Sequence, residues 1–216
     1  MAHRAILFDL DGTLLNTLQD VANAVNKGLD SLSFPQHTIE AYKTIIGEGR
    51  DVLVRRALPV DHRDDETALK LLNIVNTEYQ IHWADNTHPY PGIPELLDTL
   101  TIKHLKIAVL SNKADDLTNL CVTKLLSQWH FTLVVGSRPS VPNKPDPTAA
   151  LQIARQMDIT PVEFLYLGDS DIDMKTANSA GMFAIGAGWG FRSEQELLGA
   201  GAKVVIKHPG ELLMYL

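Results

Sequence analysis

Ala5-Ile6-Leu7-Phe8-Asp9-Leu10-Asp11-Gly12-Thr13 decides how the rest of the chain is read. Four apolar residues closed by an acid are the pattern of a short strand buried on both faces. Asp9 and Asp11 then stand two residues apart at the strand's C-terminal end. Paired carboxylates in that position can divide labour. One attacks an electrophile, the other moves a proton, and both can help to hold a hard cation. Gly12 lets the backbone turn sharply, and Thr13 adds a hydroxyl. Alone, the stretch also reads as an acidic turn, and its company elsewhere in the chain separates the two readings.

From about Lys103 onward, apolar runs alternate with helical spacing. Leu105–Leu110, Phe131–Val135, Phe164–Leu167, Phe183–Ile185 and Val204–Ile206 are strand candidates. Between them, the pattern Leu117, Leu120, Val122, Leu125, Leu126 predicts a helix, as do Pro147–Met157, with proline near its start, and Asp171–Ala180. Glu211–Tyr215 reads as a last short helix. Such alternation predicts βαβ units, hence an α/β, Rossmann-like parallel sheet covered by helices on both faces with right-handed crossovers. Residues 17–88 break the rhythm, with helical spacing at Val21, Ala24, Val25, Leu29, at Val52, Leu53, Ala57 and at Leu69, Leu72, Val75, Tyr79. The expected division is a core of residues 1–16 and 89–216 with a small helical cap, residues 17–88, inserted after the first strand. Gly47-Glu48-Gly49 reads as a loop between cap helices, and Pro89-Tyr90-Pro91-Gly92 as the returning hinge.

Composition removes several classes of function. A net charge of −7 over 216 residues argues against a broad nucleic-acid footprint. A single cysteine, Cys121, excludes an intramolecular disulfide and a cysteine-based zinc cluster, and reads as a small buried hydrophobe on a helix. The first apolar run stops at Asp9, too short for a signal peptide, and no run approaches membrane-spanning length. The expectation is a soluble, cytoplasmic protein without nucleic-acid or membrane partners. None of the eight histidines pairs at i, i+4 on a convincing helix face, and Arg55-Arg56 reads as a solvated or ion-paired surface.

Three further polar clusters each follow a strand candidate: Ser111-Asn112-Lys113, Lys144-Pro145-Asp146-Pro147 and Gly168-Asp169-Ser170-Asp171-Ile172-Asp173. Taken singly, each has an ordinary explanation: a helix N-cap at Ser111, a loop lysine at Lys144, acids favouring a helix start at 169–173. In open parallel sheets, however, the ligand crevice lies beyond the carboxyl ends of the strands, so Asp9, Ser111 and Asp169 should converge there. A hydroxyl, a lysine and two pairs of acids at one sheet edge suit phosphoryl transfer.

In these residues the chain resembles the haloacid dehalogenase superfamily. Phe8–Thr13 matches its first motif, Ser111-Asn112-Lys113 the second, Lys144-Pro145 the third and Gly168-Asp169-Ser170 with Asp173 the fourth. Ile46–Leu58, Tyr90-Pro91-Gly92-Ile93, Asp173–Met182 and Gly188-Trp189-Gly190 resemble phosphoglycolate phosphatase-like members. The resemblance implies a phosphatase acting on a small phosphorylated metabolite, with Asp9 as nucleophile, Asp11 as general acid and base, and Lys144 offsetting charge. It implies Mg²⁺ held by Asp9, the backbone carbonyl of Asp11 and Asp169, with Asp173 acting through a water or directly. Ser111 and the Asn112 N–H would bind phosphoryl oxygens, and Gly47, Glu48, Gly49 and Arg50 of the cap loop would select the leaving group. Arg50 is a candidate for meeting a substrate carboxylate. Gly136-Ser137-Arg138-Pro139 departs from the Gly-Gly-Asp-Asp type of sequence found in phosphoglycolate phosphatases, which bears on the substrate and not on the chemistry. Two other readings remain open on the same residues: a phosphomutase of the β-phosphoglucomutase type, and a non-catalytic phosphate-sensing protein. A homodimer is the assembly allowed for.

Overall fold

All four side chains of Ala5–Phe8 are buried, and the segment is a strand, β1. The computed structural model describes residues 3–216. After β1 come β2 (Leu15–Asn16), α1 (Leu18–Ser31), α2 (Tyr42–Ile45), α3 (Arg50–Ala57), α4 (Asp65–His82) and β3 (His88–Pro89). Then follow α5 (Ile93–Ile102), β4 (Lys106–Ala114), α6 (Asp115–Leu125), β5 (Leu133–Ser137) and α7 (Thr148–Met157). The chain continues through β6 (Phe164–Gly168), α8 (Asp171–Ala180), β7 (Phe183–Ala187), α9 (Glu194–Gly199) and β8 (Val204–Ile206).

Six strands make a parallel sheet in the order β5-β4-β1-β6-β7-β8. The chain builds outward from β1 to β4 and β5, then returns to β6 on the other side. At such a reversal of strand order the carboxyl ends leave a crevice, because neighbouring connections depart in opposite directions. Register decides what faces it: Phe8 lies beside Val109 of β4 and Leu167 of β6. Residues just beyond each of these therefore emerge within about one inter-strand spacing, ~4.8 Å, of β1.

The packing divides into two units: residues up to Leu15 with Pro89–Leu216, and Asn16–His88. In the first, Ala5, Leu7, Ala108, Leu110, Phe164 and Tyr166 share one core with Ile153 and Met157 of α7 and Met174 and Ala177 of α8. Ile6, Phe8, Ile107 and Val109 alternate with these and are buried as well, so both sheet faces are covered. Among the described residues, no helix is long and apolar enough to cross a membrane.

The second unit is helical. α1 buries Leu18, Val21, Ala22, Val25 and Leu29, a single stripe at helical spacing, and packs on α4. Gly28 permits the approach, since a Cβ there would lie 2.6 Å from Leu71 Cδ1. Asp20, 2% exposed, ties the start of α1 to the segment after α4. Its carboxylate accepts hydrogen bonds from Asn86 N (3.0 Å), Asn86 Nδ2 (2.8 Å), Thr87 N (2.8 Å) and Thr87 Oγ1 (2.7 Å). These bonds hold the acid below the ordinary carboxylate range, although burial opposes them.

Several elements differ from the sequence reading. β4 runs on to Ala114, so Ser111-Asn112-Lys113 lies inside the strand and not after it. The strand outlasts its apolar run because Ala114 still pairs with Ser137, beyond an irregularity that starts at Leu110. No N-cap forms at Ser111, since α6 starts only after Ala114. β5 starts at Leu133, two residues after the beginning of the Phe131–Val135 run. α5 occupies the stretch between the hinge and Lys103: Gly92, at φ 88°, turns the chain into it, and Ile93, Leu96, Leu97 and Leu100 form its buried face. α2 and α9 are short helices without a periodic apolar signal, and the last segment is a 3₁₀ helix over Pro209–Tyr215.

Replacing Asp20 by alanine leaves four donors without their acceptor and should lower the unfolding free energy by about 2–3 kcal/mol. Urea denaturation checks this, and Asp20→Asn, which keeps one acceptor, should lose less.

Candidate active site

Asp9 is the first residue past β1, and its N–H donates to Leu167 O of β6 at 2.9 Å, which fixes its main chain at the switch point. Lys144 Nζ lies 2.7 Å from Asp9 Oδ1 and 2.7 Å from Asp173 Oδ1. Asp9, Asp169 and Asp173 bring carboxylate oxygens within 4.8 Å of one another, all three buried. Lys144 is set by Asn112: Asn112 Oδ1 accepts from Lys144 N (2.9 Å) and Asn112 Nδ2 donates to Lys144 O (3.0 Å). Asp173 stands in the first turn of α8, where a capping box with Ser170 orients it. Its Oδ2 accepts from Ser170 N (3.1 Å) and Ser170 Oγ (2.5 Å), and Ser170 Oγ accepts from Asp173 N (3.3 Å). Tyr166 Oη donates to Asp173 Oδ1 at 3.3 Å.

Asp169 follows β6. Its Oδ1 accepts from Thr13 Oγ1 at 3.3 Å and its Oδ2 from Phe191 N at 2.7 Å. Asp11 makes a second ion pair: Lys113 Nζ donates to its Oδ1 at 2.8 Å and to its Oδ2 at 3.0 Å. Lys113 comes from β4, as does Ser111, whose buried Oγ accepts from Lys113 N at 3.2 Å. Strand ends, one loop and one helix start thus assemble the hydroxyls of Thr13, Ser111, Tyr166 and Ser170, two ammonium groups and four carboxylates in the same unit.

Residues 6–187 match the model of the haloacid dehalogenase-like hydrolase family. The chain belongs to the haloacid dehalogenase-like hydrolases. It is 32% identical to the phosphoglycolate phosphatase of Chromobacterium violaceum over 97% of this chain and 94% of that protein. To the phosphoglycolate phosphatase of Aquifex aeolicus it is 32% identical over 87% of this chain and 86% of that one. Among solved structures, the predicted phosphoglycolate phosphatase of Haemophilus somnus superposes with a TM-score of 0.91 at 25% identity, covering 98% of this chain and 97% of that one. This haloacid dehalogenase-like hydrolase is thereby a phosphatase of phosphoric monoesters.

In this hydrolase, Asp9, Asp11, Ser111, Asn112, Lys144, Asp169 and Asp173 all lie in the sheet-bearing unit. Gly47, Glu48, Gly49 and Arg50 lie in the helical unit, between α2 and α3 and at the start of α3. There Glu48 is ion-paired with Arg56, and Arg50 Nη1 donates to Asn76 Oδ1 at 2.7 Å. Gly47 and Gly49 have φ of 130° and 93°, a backbone that favours glycine at both. Arg55 pairs with Asp65, in keeping with a surface role. Sequence reasoning missed three contributors. Lys113 stood inside the second motif without a partner to suggest its use. Tyr166 looked like one more apolar strand residue, and Phe191 acts through its main chain, which has no signature in the sequence.

Burial is the largest influence on these acids. Together with Asp173 it raises Asp9 well above the carboxylate range, against the pull of Lys144. Burial and Asp173 push Asp169 up to about 7, opposed by the Phe191 N–H and Lys144. Burial works against charge on Lys144, but Asp173 and Asp9 outweigh it and hold the ammonium well above its usual value. Three carboxylates around one paired ammonium leave a surplus of two negative charges when all are ionised. A hard divalent cation matches both that surplus and the all-oxygen donor set.

An acid whose pKa is higher folded than unfolded withdraws stability as pH rises between the two values. Asp169 spans 3.8 to about 7, and Asp9 shifts in the same direction. Metal-free protein should therefore lose stability from about pH 4 to about pH 7, and a divalent cation should restore it above that range. Urea midpoints at mildly acidic and mildly alkaline pH, with and without Mg²⁺, check the sign.

Proposed function

We propose that this protein hydrolyses a small phosphate monoester, phosphoglycolate being the leading candidate, with Mg²⁺ and through an aspartyl-phosphate on Asp9. The observation that carries the reading is Lys144 Nζ placed 2.7 Å from both Asp9 and Asp173, with a third carboxylate, Asp11, two residues from Asp9 and held by its own lysine. A carboxylate attacks an anionic ester only where negative charge is offset, and Lys144 is paired with Oδ1 of the Asp9 carboxylate.

In the proposed first step, an Asp9 oxygen bonds to phosphorus as the bond from phosphorus to the alcohol oxygen breaks; Asp11 enters this step protonated, with one oxygen released from Lys113, and gives its proton to the alcohol oxygen. In the second, water bonds to phosphorus as the bond from the Asp9 oxygen to phosphorus breaks, and Asp11 takes the water's proton. Ser111 Oγ and the Asn112 N–H would hold the phosphoryl oxygens, while Lys113 keeps the Asp11 side chain in a defined position. Asp9, the Asp11 carbonyl and Asp169 would hold Mg²⁺, with Asp173 nearby. The ion would supply charge neutralisation at the phosphoryl group. Both Asp173 oxygens already have donors, which supports a role in holding Lys144 at least as much as in ligation. Residues 17–88 are proposed to act as a cap, with Gly47–Arg50 selecting the leaving group and excluding water. For Arg50 to meet a substrate carboxylate, its bond to Asn76 has to be given up. Two relatives named phosphoglycolate phosphatase, matched over 94% and 86% of their own length, support this substrate class. A cytoplasmic metabolite fits it.

Phosphate release from a panel of small monoesters should require Mg²⁺, stop on chelation and vanish in Asp9→Asn. Asp11→Asn should lower kcat by about 10²–10⁴-fold. Phosphoglycolate should give the highest kcat/KM in the panel. Isomerisation of glucose 1-phosphate without phosphate release would replace this reading by a mutase.

A further inference from the structure

The loop after β7, Gly188-Trp189-Gly190-Phe191, carries no charged side chain, and of its four residues only Phe191, through its N–H, has entered the site so far. We propose that this loop is the positioning element for Asp169: its main chain, the indole of Trp189 and the missing side chain at Gly190 orient the carboxylate and so set the affinity for the divalent cation. The inference rests on the metal reading of the previous subsection.

Asp169 is held between two glycines. A Cβ on Gly190 would fall 2.2 Å from Asp169 Cβ, 2.6 Å from Asp169 Oδ2 and 2.6 Å from Gly12 O. A Cβ on Gly12, from the turn after β1, would fall 2.3 Å from Asp169 Oδ2 and 2.8 Å from Phe191 Cε2. Gly12 has φ 87°, so its backbone alone favours glycine there. Gly190 has no left-handed φ, and the closeness of Asp169 and of the Gly12 carbonyl bars a side chain.

The loop also addresses both oxygens of the acid. Phe191 N donates directly to Oδ2 at 2.7 Å. Trp189 Nε1 donates to Thr13 O at 3.0 Å, which fixes the residue whose hydroxyl donates to Oδ1 at 3.3 Å. The loop itself is anchored, with Gly188 N bonded to Ile206 O of β8 at 2.9 Å and Gly190 N to Ala187 O at 3.2 Å. Each Asp169 oxygen thus has one fixed donor and keeps a lone pair for another partner. Groups that orient a ligand in this way typically govern metal affinity by 10–100-fold.

The test is cation binding by the whole protein without substrate, followed by calorimetric titration with Mg²⁺ and by the electron spin resonance of free Mn²⁺. Gly190→Ala should weaken binding by about 10–100-fold, and Trp189→Phe by about threefold to tenfold, both with wild-type circular dichroism. Asp169→Asn serves as the reference for lost binding. Wild-type affinity in folded Gly190→Ala and Trp189→Phe would overturn the proposal while leaving the metal reading intact. If Gly190→Ala does not fold, Trp189→Phe alone decides. Wild-type protein that binds neither cation would overturn both.

Discussion

Two buried carboxylates, Asp9 and Asp173, share the ammonium of Lys144, and much of the surrounding structure serves to keep that shared pair in place. Ions removed from water are costly unless each has close partners, so such a cluster survives only where its geometry is over-determined. Here it is. Asn112 grips the main chain of Lys144 from both sides, Ser170 turns Asp173 inward through its capping box, and Tyr166 adds a donor beneath them. Gly168 leaves space for Asp173, because a Cβ there would lie 2.3 Å from Asp173 Cβ. The apolar strand ends bring these groups together, and the same apolar surroundings resist the charges that result. That tension makes a divalent cation the natural complement of the site.

Charge in this centre is organised as two groups, a trio and a pair. Lys144 answers to Asp9 and Asp173, while Lys113 holds both oxygens of Asp11. Keeping the two apart has a chemical use in the proposed reaction. The group that bonds to phosphorus and the group that handles protons sit two residues apart on one strand end, yet they have different partners and different exposure.

How much of this could be read from the sequence depended on whether a feature was local. β1 and the acids behind it were legible because an apolar run that stops at a carboxylate is a contrast between neighbours. α8 was legible for a related reason, its apolar positions following an acidic start, and the parallel α/β layering followed from alternation. α5 was hidden by Pro91 and Gly92, which mark a break strong enough to mask the regular spacing of Ile93, Leu96, Leu97 and Leu100 behind them. In the site, residue types named the acids, Ser111 and Lys144. The Lys113–Asp11 pair, the gripping of Lys144 by Asn112 and the Phe191 N–H are relations across 102, 32 and 22 positions. No local pattern encodes them.

The clasp at Asp20 has a consequence for how the chain folds. It joins positions 66 and 67 residues apart, at the two ends of the helical insert. Bringing the ends of a flexible loop together costs entropy that grows with its length, and that cost would fall on β1 as it seeks β4 across the insert. An insert that closes on itself removes the cost. To the sheet, some seventy residues then behave as a short turn, and the pairing of β1 with β4 becomes nearly local in effective chain length. On the same argument, the cost borne by the sheet depends on the spacing of the insert's two ends and not on the length of chain between them.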